Sequence, residues 1–282
     1  MMIYINDETI ENIIKEDIPY VDLTSLILGI NSQKGEIKFI SRGTAVISGS
    51  EEVVRIFNKL GVKIETILSS GTPVKSGDVI VHARGNVDAL HMGWKVSMNV
   101  LEYCSGIATR TRYLVDKAKN INPQIEIVTT RKIFPGTKEF SIKAIIAGGA
   151  YPHRLGLSET VLIFKQHLNF IGGIPGLVEN LEVIKARACE KKVIVEVEDF
   201  ETAIILSKSG VGGLQFDKIN PIELKRIVDA VRSIDPSITL IGTGGINEDN
   251  IEDYARTGID AISTTSVYFG TPVDIGVTIT KQ

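Results

Sequence analysis

The chain has 282 residues, of which 43% are hydrophobic and 23% are charged, and its formal net charge is −3. This composition fits one large or two modest globular domains and excludes a disordered chain, a collagen or a small disulfide scaffold. Because 31 Lys and Arg are balanced by 34 Asp and Glu, the chain has no basic field that would favour nucleic acid as a partner.

The N-terminal segment and the two cysteines bear on the compartment. Residues 1–8 lack the basic and apolar regions of a signal peptide, and no apolar run is long enough to span a bilayer. We therefore expect a cytoplasmic protein without a membrane partner. Cys104 and Cys189 are far apart and have no second ligand nearby, so neither a metal site nor a disulfide is predicted, and both are interpreted as buried hydrophobic residues.

The first hundred residues indicate a separate α+β domain. Residues 35–40 and 44–47 alternate as strands do, and residues 51–60 are predicted to form a helix. Gly71 to Gly77 form a tight turn into a further strand. That turn is also similar to the hairpin of biotinyl or lipoyl carrier domains, but the lysine between methionines is absent, so a structural hairpin is the better interpretation.

A long helical stretch over residues 88–119 follows. It has one apolar side, and an interruption or bend is expected near Gly106. We place the domain boundary in this stretch, so that residues 1–104 form the N-terminal domain and residues 105–266 form the second.

The second domain alternates strands and helices in the order that forces parallel strands with helices packed outside them. Its best-defined elements are the predicted strands 192–198, 212–217, 238–242 and 260–264 and the predicted helices Phe200–Ser209, Pro221–Ile234 and 247–257. Shorter strands are predicted over residues 125–130, 142–146 and 162–164. The total of roughly six or seven strands favours an α/β fold with a (β/α) barrel as its architecture.

Two of these predicted strands end in carboxylates. Side chains alternate along a strand, so Glu196 and Glu198 share the face opposite the valines; they must point into the barrel, because charges in the dry layer under the helices are costly. Asp217 ends the next strand. Glu198 and Asp217 therefore meet at the C-terminal mouth of the barrel, where active sites assemble. Carboxylates without His or Cys suit Mg²⁺ and a phosphate-bearing substrate; the alternative is that both form structural ion pairs.

A glycine-rich loop and a cluster of hydroxyl side chains follow the last two predicted strands, where barrel enzymes usually bind phosphate. The loop is expected to open a helix capped by Asn247, which would turn bare N–H groups toward an anion. The alternative is an ordinary tight turn. The predicted phosphate-binding residues are Thr243, Gly244, Gly245, Thr264, Thr265 and Ser266.

Basic pairs occur in two loops after predicted strands. Arg131 and Lys132 precede a Pro-Gly turn, and His153 and Arg154 follow a Gly-Gly pair. Arginine binds carboxylate and phosphate bidentately, so cations opposite a metal-binding pair of carboxylates describe a site for a polyanionic donor and an anionic acceptor. Taken singly, each of these cations would more often be a solvated surface charge.

These motifs together resemble the quinolinate phosphoribosyltransferase (nicotinate-nucleotide pyrophosphorylase) family, most closely its ModD branch, which is named for an association with molybdenum transport. The matching motifs run along nearly the whole chain and cover residues 16–18, 22–24, 105–109, 130–132, 153–157, 196–198, 217, 244–246 and 254–258.

The resemblance implies an N-terminal α/β sandwich completed by residues 267–282, an open α/β barrel, and a homodimer or higher oligomer in which one subunit's N-terminal domain covers the other's barrel mouth. It implies transfer of phosphoribosyl from phosphoribosyl pyrophosphate (PRPP) to a ring nitrogen of a small heterocyclic acid, with release of pyrophosphate. By matching positions, Glu198 and Asp217 would hold Mg²⁺ and the ribose hydroxyls, and Lys132 would be a catalytic residue facing the pyrophosphate. The implied substrate-binding residues are Lys95, Arg131, His153, Arg154, Phe164 and Lys165.

Two positions depart from the family pattern. Lys95 stands where the quinolinate enzymes carry an arginine, and Phe164, followed by Lys165, stands where they carry a lysine. A carboxylate beside Phe164 would lose a charged hydrogen bond of about 1.5–3 kcal/mol, so quinolinate with its two adjacent carboxylates is expected to bind poorly. We expect an acceptor with one carboxylate or a differently placed anion, and we do not carry over the decarboxylation step.

Three alternatives remain open. The chain could be a carboxylating enzyme of NAD biosynthesis that uses quinolinate, a non-catalytic PRPP-binding or nucleotide-binding protein linked to molybdate handling, or a Schiff-base aldolase on a phosphate-binding barrel. The presence of Glu198 and Asp217 favours an enzyme over a binding protein. Neither Lys132 nor Lys165 is the isolated lysine at a strand end that an aldolase needs.

Overall fold

The computed structural model describes residues 3–282; Met1 and Met2, the first two residues of the predicted N-terminal domain, lie outside the described residues. The chain divides into two compact units. The first comprises the chain up to Tyr113 together with Ile133–Gly149 and Val267–Gln282, and the second comprises Leu114–Lys132 and Ala150–Ser266.

The elements, in chain order, are as follows. The helices are α1 (Asp7–Asp17), α2 (Leu23–Leu28), α3 (Ser50–Lys59), α4 (Val87–Ile121), α5 (Lys138–Gly148), α6 (Lys165–Leu168), α7 (Gly173–Ala188), α8 (Phe200–Ser209), α9 (Pro221–Ile234) and α10 (Ile251–Ala255). The strands are β1 (Lys34–Ser41), β2 (Ala45–Val46), β3 (Lys63–Ile67), β4 (Pro73–Val74), β5 (Val79–Asn86), β6 (Glu126–Thr129), β7 (Tyr151–Pro152), β8 (Val161–Ile163), β9 (Val193–Val197), β10 (Gly213–Asp217), β11 (Thr239–Thr243), β12 (Ala261–Thr264) and β13 (Ile275–Lys281).

The first unit is built on a four-stranded antiparallel sheet in the order β13-β1-β5-β3. Burial alternates along β1, and its inward residues Ile37 and Phe39 are fully buried against Phe57 of α3 and Leu90 of α4. Alternation with a period of two exposes one face of a strand and buries the other, which is why the pattern at residues 35–40 could be recognised. The C-terminal strand β13 pairs with β1 along its length, so the end of the chain completes this sheet.

The long helix α4 runs from Val87 to Ile121 without the interruption that we expected near Gly106. Gly106 has a packing role instead. A Cβ at this position would lie 2.4 Å from the carbonyl oxygen of Thr271, so only glycine allows the C-terminal segment to approach the helix this closely.

Residues 142–146, predicted as a strand, lie within helix α5. A short apolar run cannot be assigned to a strand or to a buried helix by periodicity alone, and this run packs in the first unit with Ile142, Ala144 and Ile145 buried. The helix ends at Gly148 and is capped by Gly149, which has a φ of 97°. The strand of the parallel sheet in this part of the chain is β7 instead. It has only two residues, which are too few to show the alternation of a strand in the sequence.

The second unit is a seven-stranded parallel sheet in the order β7-β6-β12-β11-β10-β9-β8, with every strand pair parallel. This confirms the predicted α/β class and the strand number. The sheet is curled. Residues from four of its strands form one buried cluster on the inner face: Leu162 of β8, Ile194 of β9, Ile241 of β11 and Ala261 of β12. Helices α8 and α9 begin and end at the predicted residues.

The two cysteines differ in environment. Cys104 is buried as predicted, and burial raises the pKa of its thiol to about 12, with the charge of Glu52 adding to the effect. Cys189 is exposed, so its interpretation as a buried hydrophobic residue was wrong. It ends α7 at the surface with a φ of 52°, a conformation set by the turn and not visible in the sequence. No helix within residues 3–282 is both long and apolar enough to cross a bilayer.

Candidate active site

Three carboxylates gather at the carboxyl ends of β9 and β10. Glu196 lies opposite Gln215 in the strand register, and the Gln215 amide donates a 3.0 Å hydrogen bond to its Oε2. Burial raises the pKa of Glu196, the hydrogen bond from Gln215 opposes this, and the charges of Asp217 and Glu198 raise it further. The valines of β9 are buried on the other face. The strand pleat therefore turns the acidic side chains toward the mouth, as the alternation predicted.

The carboxylate of Asp217 packs closely against the glycine-rich loop. Gly244 has a φ of 86°, and a Cβ on it would lie 2.5 Å from Asp217 Oδ1. Gly245 has a φ of 74° but nothing within 4 Å of its Cβ position. The carboxylate and the loop thus adjoin directly, although they stand at the ends of different strands.

The glycines do not open a helix, contrary to our expectation. Helix α10 begins only at Ile251, and the side chain of Asn250 ties the loop into a turn: its Oδ1 accepts from the Asn247 N–H at 2.9 Å and its Nδ2 donates to the Gly245 carbonyl at 3.1 Å. Asn247 does not cap α10 itself, whose N-cap residue is Asn250; it caps the turn before the helix, where its Oδ1 accepts from the Asp249 N–H at 2.8 Å. An asparagine side chain that bonds nearby backbone competes with helix formation, and here it delays the helix.

This pair of glycines allows a matched prediction. We expect Gly244→Ala to lower the catalytic efficiency by about tenfold or more, because the new methyl group would displace Asp217 and the adjoining Lys218 in addition to straining a left-handed residue. Gly245→Ala introduces comparable backbone strain with room for the methyl group, and we expect less than about a threefold loss. The measurement compares kcat/KM of both variants with that of the wild type. Equal losses would contradict the importance of the Asp217 contact.

The hydroxyl side chains beside the loop form hydrogen bonds within the protein, some to backbone carbonyls and one to another hydroxyl. Thr243 donates to the Ser263 carbonyl at 3.0 Å and Thr264 donates to the Ile246 carbonyl at 2.6 Å, so both hydroxyl hydrogens are used to hold the loop ends in place. Thr264 Oγ1 also accepts from the N–H of Ser266 at 3.0 Å. The Thr265 hydroxyl lies 2.8 Å from that of Thr130 at the end of β6. These bonds tie the loops after β6, β11 and β12 together.

The cations after β6 and β7 form a basic group. Arg131 and Lys132 are exposed, and Arg154 is half-buried. Burial lowers the pKa of Arg154 and the charge of Arg131 lowers it further, so the two guanidinium groups repel each other. An anion bound by both would offset this repulsion and could accept bidentate hydrogen bonds from each.

His153 differs from its basic neighbours. Burial lowers the pKa of His153, and the Arg154 charge lowers it further, which favours the neutral imidazole. Among residues 3–282, its Nε2 is one of a few buried side-chain atoms without a hydrogen-bond partner. A neutral imidazole with a free ring nitrogen can donate to, or accept from, a substrate group.

Phe164 lies at the edge of the curled sheet. It packs against the inner cluster of Leu162, Ile194, Ile241 and Ala261, and the Arg154 guanidinium lies 5.8 Å from its ring centroid. Because Arg154 follows β7 and Phe164 follows β8, this contact brings the two edges of the sheet together.

A histidine that the site prediction omitted completes this wall. The His167 ring stacks on Phe164 at 5.8 Å with 27° between the planes, and its Nδ1 accepts from the Phe164 N–H at 3.0 Å. Lys165, the other residue predicted here, is exposed. Sequence gave one weak signal for His167, its spacing of three residues from Phe164 at a helix start.

Lys95 is the predicted site residue that belongs to the first unit, whereas the others belong to the second. Its ammonium lies 4.5 Å from the Trp94 ring centroid, and the residue is exposed on α4, as is Asn99 one turn later. The structure thus groups the predicted barrel residues into an acidic side, a glycine loop, a basic group and an aromatic wall.

Comparison with known proteins accounts for both parts of the chain. The model of the quinolinate phosphoribosyl transferase C-terminal domain matches residues 107–278, and that of the N-terminal domain matches residues 22–105. A ModD pyrophosphorylase of Rhodobacter capsulatus is 36% identical over 257 residues, which cover 91% of this chain and 98% of that protein. A carboxylating nicotinate-nucleotide pyrophosphorylase of Archaeoglobus fulgidus is 27% identical over 256 residues, covering 90% and 96%.

Solved structures share the fold. The nicotinate-nucleotide pyrophosphorylase of Ehrlichia chaffeensis superimposes with a TM-score of 0.89 at 24% identity, covering 99% of this chain and 100% of that one. NadC from Streptococcus pyogenes gives a TM-score of 0.89 at 22% identity, covering 98% and 96%.

Proposed function

The chain belongs to the quinolinate phosphoribosyltransferase family, and we propose that it transfers the phosphoribosyl group of PRPP to the ring nitrogen of a small anionic heterocycle, releasing pyrophosphate. The observation that carries this proposal is the contact between Asp217 and Gly244. It puts a carboxylate suited to ribose hydroxyls directly beside a loop suited to a phosphate, and a ribose phosphate carries both of these groups.

The remaining groups divide between donor and acceptor. We propose that Glu198 and Asp217 accept hydrogen bonds from the ribose hydroxyls, that the loop of Gly244 and Gly245 binds the 5′-phosphate, and that Lys132 faces the pyrophosphate. Arg131, His153 and Arg154 bind the anions of the acceptor and the donor. The repulsion between the Arg131 and Arg154 charges supports this, because an anion bound by both would relieve it.

The donor set at the mouth fits Mg²⁺, which we propose as the cofactor. Within residues 3–282 no group of three or more His, Cys, Asp and Glu side chains could enclose a metal ion. Mg²⁺ is usually held by one or two carboxylates and completed by water and substrate phosphate oxygens. Glu198 and Asp217 would hold it, and when bound it would supply positive charge to the leaving pyrophosphate.

The residues of this chain act by position and charge. In the reaction the bond from C1 of the ribose to the pyrophosphate oxygen breaks, the ring nitrogen forms a bond to C1, and pyrophosphate leaves with the bonding electrons. The carboxylates near the ribose stabilise the positive charge that develops at C1, and Lys132 and the arginines stabilise the leaving anion. Holding both reactants in one site supplies most of the remaining acceleration.

Phe164 carries our proposal for the acceptor. The ring is one wall of the basic group, with His167 stacked on it and Arg154 nearby, so this wall offers an aromatic face and not a second cation for a carboxylate. We propose a heterocycle with one carboxylate, or with a differently placed anion, that packs its ring against Phe164 and directs its anion to Arg131 and Arg154.

The test is the acceptor range of the wild type and of Phe164→Lys. We expect wild type to release pyrophosphate from PRPP and Mg²⁺ with a monocarboxylate acceptor and poorly with quinolinate. Phe164→Lys should improve kcat/KM for quinolinate by about tenfold or more, because it restores a charged hydrogen bond. The panel contains quinolinate, nicotinate, other pyridine carboxylates, and pyrimidine and imidazole acids.

Phe164→Leu is the matched control, since it removes the ring without adding charge and should not improve quinolinate turnover. Efficient turnover of quinolinate by the wild type would contradict the proposed acceptor and favour an enzyme of NAD biosynthesis. No turnover with any acceptor would favour a protein that binds PRPP without catalysis.

We also propose a cytoplasmic homodimer. Apolar side chains are exposed along and before α2, and a monomer rarely exposes such a contiguous patch. They are Tyr20, Val21, Leu23, Leu26, Ile27 and Leu28. Sedimentation equilibrium of the wild type and of Ile27→Glu would test whether this patch holds two copies together.

A further inference from the structure

Lys218 stands directly after Asp217 at the mouth, with a backbone conformation that L-residues rarely adopt. Its φ is 57°, and within residues 3–282 the only other non-glycine residue with a positive φ is Cys189, at 52°. Glycine and asparagine adopt such conformations far more readily than lysine. The neighbouring sequence does not predict this conformation, so contacts with other parts of the fold must stabilise it.

Two contacts with the glycine loop hold Lys218 in this conformation. Its N–H donates to the Thr243 carbonyl at 2.9 Å. A Cβ on Gly244 would lie 2.5 Å from Lys218 Cγ and 2.7 Å from Lys218 N, so the stem of the lysine lies along the loop. The chain after β10 is thus locked to the chain after β11, and the lysine side chain leaves from the edge of the candidate phosphate loop.

The contacts of the Lys218 ammonium do not explain the strained backbone. Nζ lies 3.6 Å from Asp217 Oδ2, and the side chain is 78% exposed. An exposed ion pair at this distance contributes little to stability, whereas a positive φ is unfavourable for lysine. Strained residues persist only where the surrounding structure holds them, and they cluster at binding and catalytic sites.

We propose that the Lys218 ammonium binds the phosphate that the loop of Gly244 and Gly245 receives, and so is a further donor-binding residue. This inference rests on the proposed phosphoribosyl transfer. Glu196, Glu198 and Asp217 make this side of the mouth negative, and a phosphate dianion that enters beside them meets repulsion. Lys218 places a positive charge beside Asp217 with its stem along the loop, and its flexible exposed side chain lets the ammonium turn from Asp217 to the phosphate.

The experiment measures binding, so that it does not depend on knowing the acceptor. Calorimetric Kd values for ribose 5-phosphate and for PRPP are compared between wild type, Lys218→Asn and Lys218→Gly at low and high salt. We expect both variants to bind ribose 5-phosphate about tenfold more weakly at low salt, the effect of losing one charged hydrogen bond. The difference should shrink at high salt because the lysine is exposed.

Thermal unfolding separates a binding role from a structural one. Asparagine and glycine relieve the positive φ, so Tm should stay the same or rise in both variants. Cys189→Gly is the matched control: it relieves the same kind of strain between α7 and β9, at the end of the barrel opposite the mouth, and should leave both Kd values unchanged.

The outcomes distinguish the two proposals. Unchanged affinity for ribose 5-phosphate in the Lys218 variants, with wild type binding normally, would overturn the role of Lys218 alone. A lower Tm with unchanged affinity would make Lys218 a structural residue and overturn it as well. If the wild type bound neither ribose 5-phosphate nor PRPP, this result would contradict both the proposed transfer reaction and the role of Lys218.

Discussion

Asp217→Ala is expected to lower PRPP-dependent pyrophosphate release by about two to three orders of magnitude, the usual cost of removing one preorganised charged contact at a reacting centre. Asp217 ends β10, abuts Gly244 and contributes to the charge that raises the pKa of Glu196. Gln215, which shares the face of Asp217 on β10, is buried and donates its amide hydrogen bond to Glu196, and Phe216 between them is buried.

Folding should survive this substitution. The site holds adjacent carboxylates, and removal of one relieves repulsion, so Tm should be unchanged or higher while activity is lost. Asp229→Asn is the control, since this exposed aspartate on α9 pairs with Lys225 outside the mouth. Retention of more than about a tenth of the wild-type rate by Asp217→Ala would exclude the central role of this carboxylate.

Lys143→Met is expected to reduce the free energy of unfolding by about 3–5 kcal/mol, the cost of leaving a buried charge without its partner. Lys143 lies on α5, is 5% exposed, and donates to Glu51 Oε2 at 2.7 Å and to Glu52 Oε2 at 2.5 Å. Glu52 is only 2% exposed, so its carboxylate has no access to water when the lysine is removed.

Denaturant unfolding measures this effect, and two variants make it specific. Lys63→Met removes an exposed lysine paired with Glu65 in the same unit and should cost less than about 1 kcal/mol. Lys143→Met combined with Glu52→Gln should recover part of the loss, because the unpaired buried charge is gone. A loss below about 1 kcal/mol in Lys143→Met alone would show that the buried pair does not stabilise the unit.

The same cluster predicts acid sensitivity. Burial would raise the pKa of Glu51, but hydrogen bonds from Lys143 and Ser70 outweigh it and lower the pKa from 4.5 to about 2. A carboxyl whose pKa is lower in the folded state stabilises the fold above its unfolded pKa and loses this contribution as pH falls. Stability should therefore decline between pH 4.5 and about 2, and less steeply in Lys143→Met.

Local periodicity was sufficient for much of the second unit. Helices α8 and α9 were predicted at their observed bounds, with Pro221 in the first turn of α9 and Gly210 at the end of α8; the structure adds the caps Asp199 and Asn220. The inward direction of Glu196 followed from the pleat alone. Each of these features depends on residues within a few positions of one another, which is the range over which sequence patterns act.

Other features depended on partners far away in sequence. Residues 142–146 were predicted as a strand from their apolar run. In the structure they are helical, and Lys143 within the run pairs with Glu51 and Glu52, about ninety positions earlier in the sequence. The glycine loop leads first into a turn, in which Asn247 Oδ1 accepts from the Asp249 N–H, and α10 begins only after Asn250. Intrinsic helix propensity predicts neither of these two features.

The sequence by itself determined the class of fold, the family, and the carboxylates, glycines and cations that make up the candidate site, because pleat, turn and motif are local properties. Only the tertiary structure decided that Asp217 abuts Gly244, that Arg154 meets Phe164 as the sheet edges curl together, and that Lys218 is held with a positive φ beside the glycine loop. The physical reason is that each of these contacts joins the ends of different strands, so it exists only once the strands have assembled into the curled sheet.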